Sequence, residues 1–138
     1  MVGGDVVGEI GDGLLVLVGV ATGDTESDAD VLAAKVAGLR ILPDGEGRMN
    51  RSVAEARGAV LVVSQFTLLA DVARGRRPSF TGAADPSVAE PLVARVTAGL
   101  EEAGLAVVRG RFGAHMLVES VNDGPVTILL EAAEGRIR

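Results

Sequence analysis

A mixed α/β domain, with its helices packed on one side of a sheet, is the architecture this sequence predicts, and three observations carry it. Strand-like runs alternate with two helical patterns in the order strands, helix, strand, helix, three strands. Strand–helix–strand units favour parallel neighbours, and terminal hairpins favour antiparallel ones. The stretch Ala59 to Asp71, AVLVVSQFTLLAD, begins as the charge-free, largely β-branched run Val60 to Val63, which marks a strand buried on both faces. The chain has 138 residues and no internal repeat, low-complexity segment or dividing linker. That length suits one domain over residues 1–138, able to bury about two-thirds of its unfolded surface without a covalent or metal staple.

Taken in order, Val6 to Ile10 and Leu14 to Val20 read as short strands separated by Gly11-Asp12-Gly13, a hairpin turn by composition. Thr25 with Asp28 three residues on resembles a capping box. Leu32, Val36 and Leu39 then recur at helical spacing, so Glu26 to Leu39 is expected as a helix. Pro43, Gly45 and Gly47 mark a loop, and Arg48, Met49 and Asn50 within it have no role that the sequence assigns. After Val63 the central strand breaks into Ser64, Gln65 and Thr67. Polar groups there either satisfy backbone where the strand leaves the sheet or line the rim of a site.

Ala73 to Asp85 is an Arg-, Gly- and Pro-rich loop. Asp85-Pro86 opens a second helix, with Asp as N-cap and Pro in the first position. Val88, Leu92, Val96 and Leu100 follow it, and Gly104 ends it. Pro91 is expected to bend or restart this helix, because it lacks an N–H for the ladder. Ala106 to Arg109, His115 to Val121 and Val126 to Glu131 read as closing strands, and the last five residues as a frayed tail.

Composition narrows the chemistry. Cysteine is absent, which removes disulfides, thiolate metal sites and a Cys nucleophile and fits a reducing cytosol. No apolar run approaches the ~20 residues of a membrane span. The acidic N-terminus, MVGGDVVGEIG, has no basic region of the kind a signal peptide carries. The net charge of −6 argues against indiscriminate nucleic-acid binding, although Arg74, Arg76 and Arg77 form a local basic patch. Trp and Tyr are absent and Phe occurs only at 66, 80 and 112, so there is no stacking platform for a long single strand.

The single histidine, His115, leaves at most one base for a nucleophilic triad. No His, Asp and Glu residues have metal-ligand spacing, the glycine-rich pieces match no phosphate loop, and no cofactor is implied. Catalysis would then rest on backbone donors, hydroxyls and the substrate itself. A second polar stretch, NDGPVT at Asn122 to Thr127, is strong turn sequence that places Pro125 at a strand start. Spacing leaves the geometry of its X-Pro bond open.

Together, SQFTL at Ser64 to Leu68 and NDGPVT resemble the two signature motifs of D-aminoacyl-tRNA deacylases. The resemblance continues through the Gly8 to Val20 segment, DGEGRMN at Asp44 to Asn50, GRRPSF at Gly75 to Phe80, AEPL at Ala89 to Leu92 and RFGAHM at Arg111 to Met116. It implies a cytoplasmic homodimer of three-layer α/β/β fold with a mixed sheet and two helices. The implied reaction is hydrolysis of the ester joining a D-amino acid, or glycine, to the 3′ end of tRNA. Under that resemblance Ser64, Gln65, Phe66 and Thr67 match one wall of the pocket, whose backbone N–H groups near Gln65 and Phe66 would hold the oxyanion. Gly124 and Pro125 match a Gly-cis-Pro pair that a partner subunit inserts, with carbonyls that hold the substrate amine and leave no space for an L side chain. The 2′-hydroxyl of the terminal adenosine assists the attacking water in the family's usual account, and Thr67 as nucleophile is the older rival. Phe112 and Met116 match pocket-lining positions, His115 a variable one, and Arg74, Arg76 and Arg77 would meet acceptor-end phosphates.

Family chains open with a further strand whose arginine buttresses the Gly-Pro pair, whereas here Met1 to Asp5 runs directly into the second strand. The expectation is a truncated or mis-assigned start that leaves a sheet edge or cleft uncovered. Two alternatives remain: a related deacylase with a trans Gly-Pro bond acting on small L-residues, and a non-catalytic RNA-binding module.

Overall fold

A computed structural model describes residues 1–138. Its centre is a three-stranded parallel sheet of β1 (Gly13–Val18), β4 (Ala59–Ser64) and β5 (Val107–Arg109), with β4 in the middle. Parallel neighbours need long crossovers. The helix α1 (Glu26–Gly38) lies in the first and α2 (Pro86–Glu102) in the second. The antiparallel ladders are two and short, β2 (Leu42–Pro43) with β3 (Met49–Arg51) and β6 (Ala132–Ala133) with β7 (Arg136–Ile137), beside isolated antiparallel bridges such as Asp71 with Ser79.

Strand alternation sorts the sheet into two faces. Val60 and Val62 of β4 and Val18 of β1 join Ala29, Ala33 and Val36 of α1 and Leu92, Val96 and Leu100 of α2 in one buried core, so both helices cover the same face. Gly99 allows the helices to close, because a Cβ there would lie 2.7 Å from that of Ala33. Arg95 also ties them, with a two-bond contact to Asp30 at 2.8 and 3.0 Å and Glu26 3.1 Å away. These pairs are exposed and contribute little to stability. The opposite face is only partly covered: Leu15 and Leu17 of β1 remain exposed.

The Asp28 carboxylate closes the start of α1 by accepting the Thr25 N–H at 2.9 Å. It also accepts the Gly135 N–H at 2.8 Å, which fastens the C-terminal segment to the helix. These donors hold Asp28 below the usual carboxylate range, Gly135 first and Thr25 next. Residues 134–138, expected to fray, are therefore docked. Glu134 and Gly135 take positive φ at the turn between β6 and β7, as a tight hairpin requires.

Other expectations also change. The helix α2 runs unbroken through Pro91, whose ring lies on the exposed side where water can satisfy the freed carbonyl. Residues 6–10, 115–121 and 126–131 are not strands, because alternation without a hydrogen-bonded neighbour makes no ladder. The segment 6–10 does not return onto β1 as a hairpin. It crosses β5, where a Cβ on Gly8 would be 2.9 Å from the Arg109 carbonyl oxygen. Leu117 instead pairs with Met1, its N–H reaching the Met1 carbonyl at 2.9 Å. Finally, the chain beyond the break in the central strand forms a 3-10 turn over Phe66–Leu69.

Candidate functional site

The parallel register sets Ser64, the last residue of β4, beside Val18. The Gln65 N–H makes one further bond, to the Val18 carbonyl at 2.7 Å, and the chain then leaves the sheet. In the 3-10 turn, Leu68 N–H reaches the Gln65 carbonyl at 3.2 Å and Ala70 N–H reaches that of Thr67 at 3.1 Å. The N–H groups of Phe66 and Thr67 donate to nothing in the chain, as the first donors of a helical turn must. The free backbone donors are thus at 66 and 67, one residue later than expected, because the sheet engages Gln65. The Thr67 hydroxyl oxygen accepts a bond from the Gln65 side-chain amide. An amide is no proton acceptor at neutral pH, so this contact does not activate Thr67.

Phe66 is exposed and stands edge-on to Phe80, with ring centroids 5.0 Å apart and planes at 69°. Phe80 thereby supports the Phe66 ring, a part that its place in GRRPSF did not reveal. Between these two residues in sequence, Asp71 and Ser79 exchange both backbone hydrogen bonds at 2.8 Å and close a loop. Arg74, Arg76 and Arg77 project from that loop, exposed and in no ion pair. The Asp71 carboxylate accepts the Ala73 N–H at 2.9 Å and forms no ion pair with them.

Met116 reaches the end of β4: a Cβ on Gly110 would lie 2.8 Å from its sulfur and 3.6 Å from Val63. Phe112 is half-buried in the preceding turn, and His115 is exposed. The Asn122–Thr127 loop is locked by its own first residue. Asn122 Oδ1 accepts the Val126 N–H at 2.9 Å, and its Nδ2 donates to the Thr127 hydroxyl at 3.2 Å. The Gly124–Pro125 bond displayed there is cis, not the trans bond of the alternative reading. Both residues are exposed, and no hydrogen bond joins this loop to Ser64–Thr67 of the same chain. No three His, Asp or Glu side chains are grouped as a metal site would need.

The model of the D-Tyr-tRNA(Tyr) deacylase family matches residues 1–131. The chain belongs to this family. The D-aminoacyl-tRNA deacylase of Symbiobacterium thermophilum is 61% identical over 131 residues, covering 95% of this chain and 87% of that protein. That of Deinococcus radiodurans is 57% identical over 130 residues, covering 94% and 90%. Among solved structures, the c-Myc DNA unwinding element binding protein superposes with a TM-score of 0.89 at 36% identity, covering 96% of this chain and 91% of that one. A probable eukaryotic D-amino acid tRNA deacylase, at 19% identity and a TM-score of 0.65, shares the fold. This deacylase family is one of hydrolases, and its α/β architecture is the one described above.

The family match also takes in DGEGRMN, whose Asp44 to Arg48 form the β2–β3 turn and whose Met49 and Asn50 open β3. Asp44 organises it by accepting the N–H groups of Glu46 at 2.8 Å and Arg48 at 3.0 Å, and the Asn50 amide at 3.2 Å. The Arg48 and Glu46 bonds hold its carboxyl below the usual range. No helix is long and apolar enough to cross a membrane.

Proposed function

We propose that this chain, as a single cytoplasmic deacylase domain, hydrolyses the ester linking a D-amino acid to the 3′-terminal adenosine of tRNA. In this reading two subunits form each site: Ser64, Gln65, Phe66 and Thr67 make one wall, and Gly124 and Pro125 of the partner make the other. The free Phe66 and Thr67 N–H groups at an exposed strand end are the observation that supports it most. Water adds to the ester carbonyl, and the developing oxyanion takes those two donors, each worth roughly 3–4 kcal/mol when well aimed. The bond to the ribose 3′ oxygen then breaks, that oxygen gains the proton, and free amino acid and tRNA depart. Because the Thr67 hydroxyl faces an amide, proton handling falls to the adenosine 2′-hydroxyl.

A main-chain clamp has no rotamer to relax, so it rejects the L side chain by exclusion and passes glycine, which has nothing to exclude. Phe112 and Met116 would line the pocket, and Arg74, Arg76 and Arg77 would meet phosphates of the acceptor end. The partner surface has support of its own. Leu15 and Leu17 lie exposed on the uncovered face, and Leu117, Val118, Val121, Ile128 and Leu129 expose further apolar surface in the segment that carries Gly124 and Pro125, more than an isolated subunit would leave in water. Hydrolysis of a D-aminoacyl-tRNA beside its L counterpart tests the proposal. Cleavage of the D form alone is expected. Equal rates would remove the clamp, and tRNA binding without turnover would leave an RNA-binding module.

A further inference from the structure

We infer that Gly19 is a positioning residue for this hydrolysis, setting the Phe66 and Thr67 donors through the turn that packs on it; the inference rests on the function proposed above. Gly19 directly follows β1 and has no polar group and no contact with the proposed substrate. A Cβ placed there would lie 2.6 Å from Leu69 Cδ2, 2.9 Å from the Gln65 carbonyl oxygen and 3.2 Å from Leu68 Cβ. All three atoms belong to the segment that carries the free donors. The Gln65 carbonyl is also the acceptor that closes the 3-10 turn on Leu68 N–H. Backbone cannot move aside as a flexible side-chain end can, so a methyl group at 19 must lift the turn from the end of β1. Its neighbours Val18 and Val20 are buried, so the glycine itself cannot swing away. A lone Gly in an apolar strand run is the sequence signal for such close approach.

The contrast with Gly99 separates positioning from folding. A Cβ at Gly99 meets only Ala33 Cβ, between the two helices and away from the turn. Gly99→Ala should lower the melting temperature and leave kcat unchanged. Gly19→Ala should lower kcat on D-aminoacyl-tRNA by about 100-fold, the effect of roughly 1 Å of misplacement at a reacting centre, with KM within about twofold because the phosphate and amine contacts persist. Should Gly19→Ala fail to fold, Leu69→Ala and the double variant Gly19→Ala/Leu69→Ala decide the matter, since the closest clash is gone but the Gln65 carbonyl is still pushed. The double variant should be well below Leu69→Ala in kcat at similar KM. Equal kcat in those two, or a Gly19→Ala loss confined to KM, overturns the inference. A wild-type protein that hydrolyses neither enantiomer instead overturns the function on which it rests.

Discussion

Asn122 holds the Gly124–Pro125 loop with two side-chain bonds and touches no other part of the proposed machinery, so Asn122→Ala isolates the order of that loop. The substitution deletes the 2.9 Å bond from Val126 N–H and the 3.2 Å bond to the Thr127 hydroxyl. A neutral hydrogen bond contributes about 0.5–1.5 kcal/mol net, and exposure puts both near the low end, so about 1–2 kcal/mol of loop order is lost. At 1.4 kcal/mol per factor of ten, the ratio of ordered to disordered loop falls about 5- to 30-fold, and kcat/KM for D-aminoacyl-tRNA falls by up to that factor. Asn122 lies outside the buried core, so the melting temperature should hardly move. Asn122→Asp keeps the oxygen that accepts from Val126 and loses the donor to Thr127, so it should fall between. Single-turnover hydrolysis measures all three proteins. An Asn122→Ala enzyme as fast as wild type would refute the reasoning, since the loop would then be ordered by something other than its own first residue.

Leu100 is fully buried between α2 and the sheet, and Leu100→Ala should cost about 2–5 kcal/mol in urea unfolding while the folded fraction keeps its kcat. Asp28 is held below its ordinary range, so its contribution is complete above that range and is lost as pH falls through its folded-state value. Asp28→Asn should therefore flatten the acid limb of the stability–pH profile below about pH 4, measured by thermal melting. Replacing Arg74, Arg76 or Arg77 by Ala should weaken binding of all tRNAs alike and reduce the slope of log K against log salt by about 0.7–0.9 for each lost phosphate contact.

The fold was legible where one chain segment carries its own signal. The charge-free run at Val60–Val63, the Thr25 and Asp28 spacing and Asp85-Pro86 each located an element within a residue or two. Partnership was not legible. The alternation at 115–121 and 126–131 is real, but no local pattern says whether a neighbouring strand will meet it. The docked tail escaped notice because its anchor, Asp28, is 107 residues from Gly135. The two motifs marked both polar stretches, yet the order of backbone donors did not follow from them. That Gln65 spends its N–H on Val18 depends on parallel register, a fact of the sheet.

Subunit mixing measures most directly the claim that one chain completes the site of another. Phe66→Pro removes a wall donor, and Gly124→Ala distorts the clamp, because its Cβ would lie 2.8 Å from Val126 Cγ2 and 2.9 Å from the Val126 nitrogen. Each variant alone should be nearly inactive. After the two are unfolded together and refolded in equal amounts, half the twofold dimers are mixed and each has one intact wall facing one intact clamp, so about a quarter of wild-type activity should return. No recovery in a preparation shown by mass to contain mixed dimers would contradict the account.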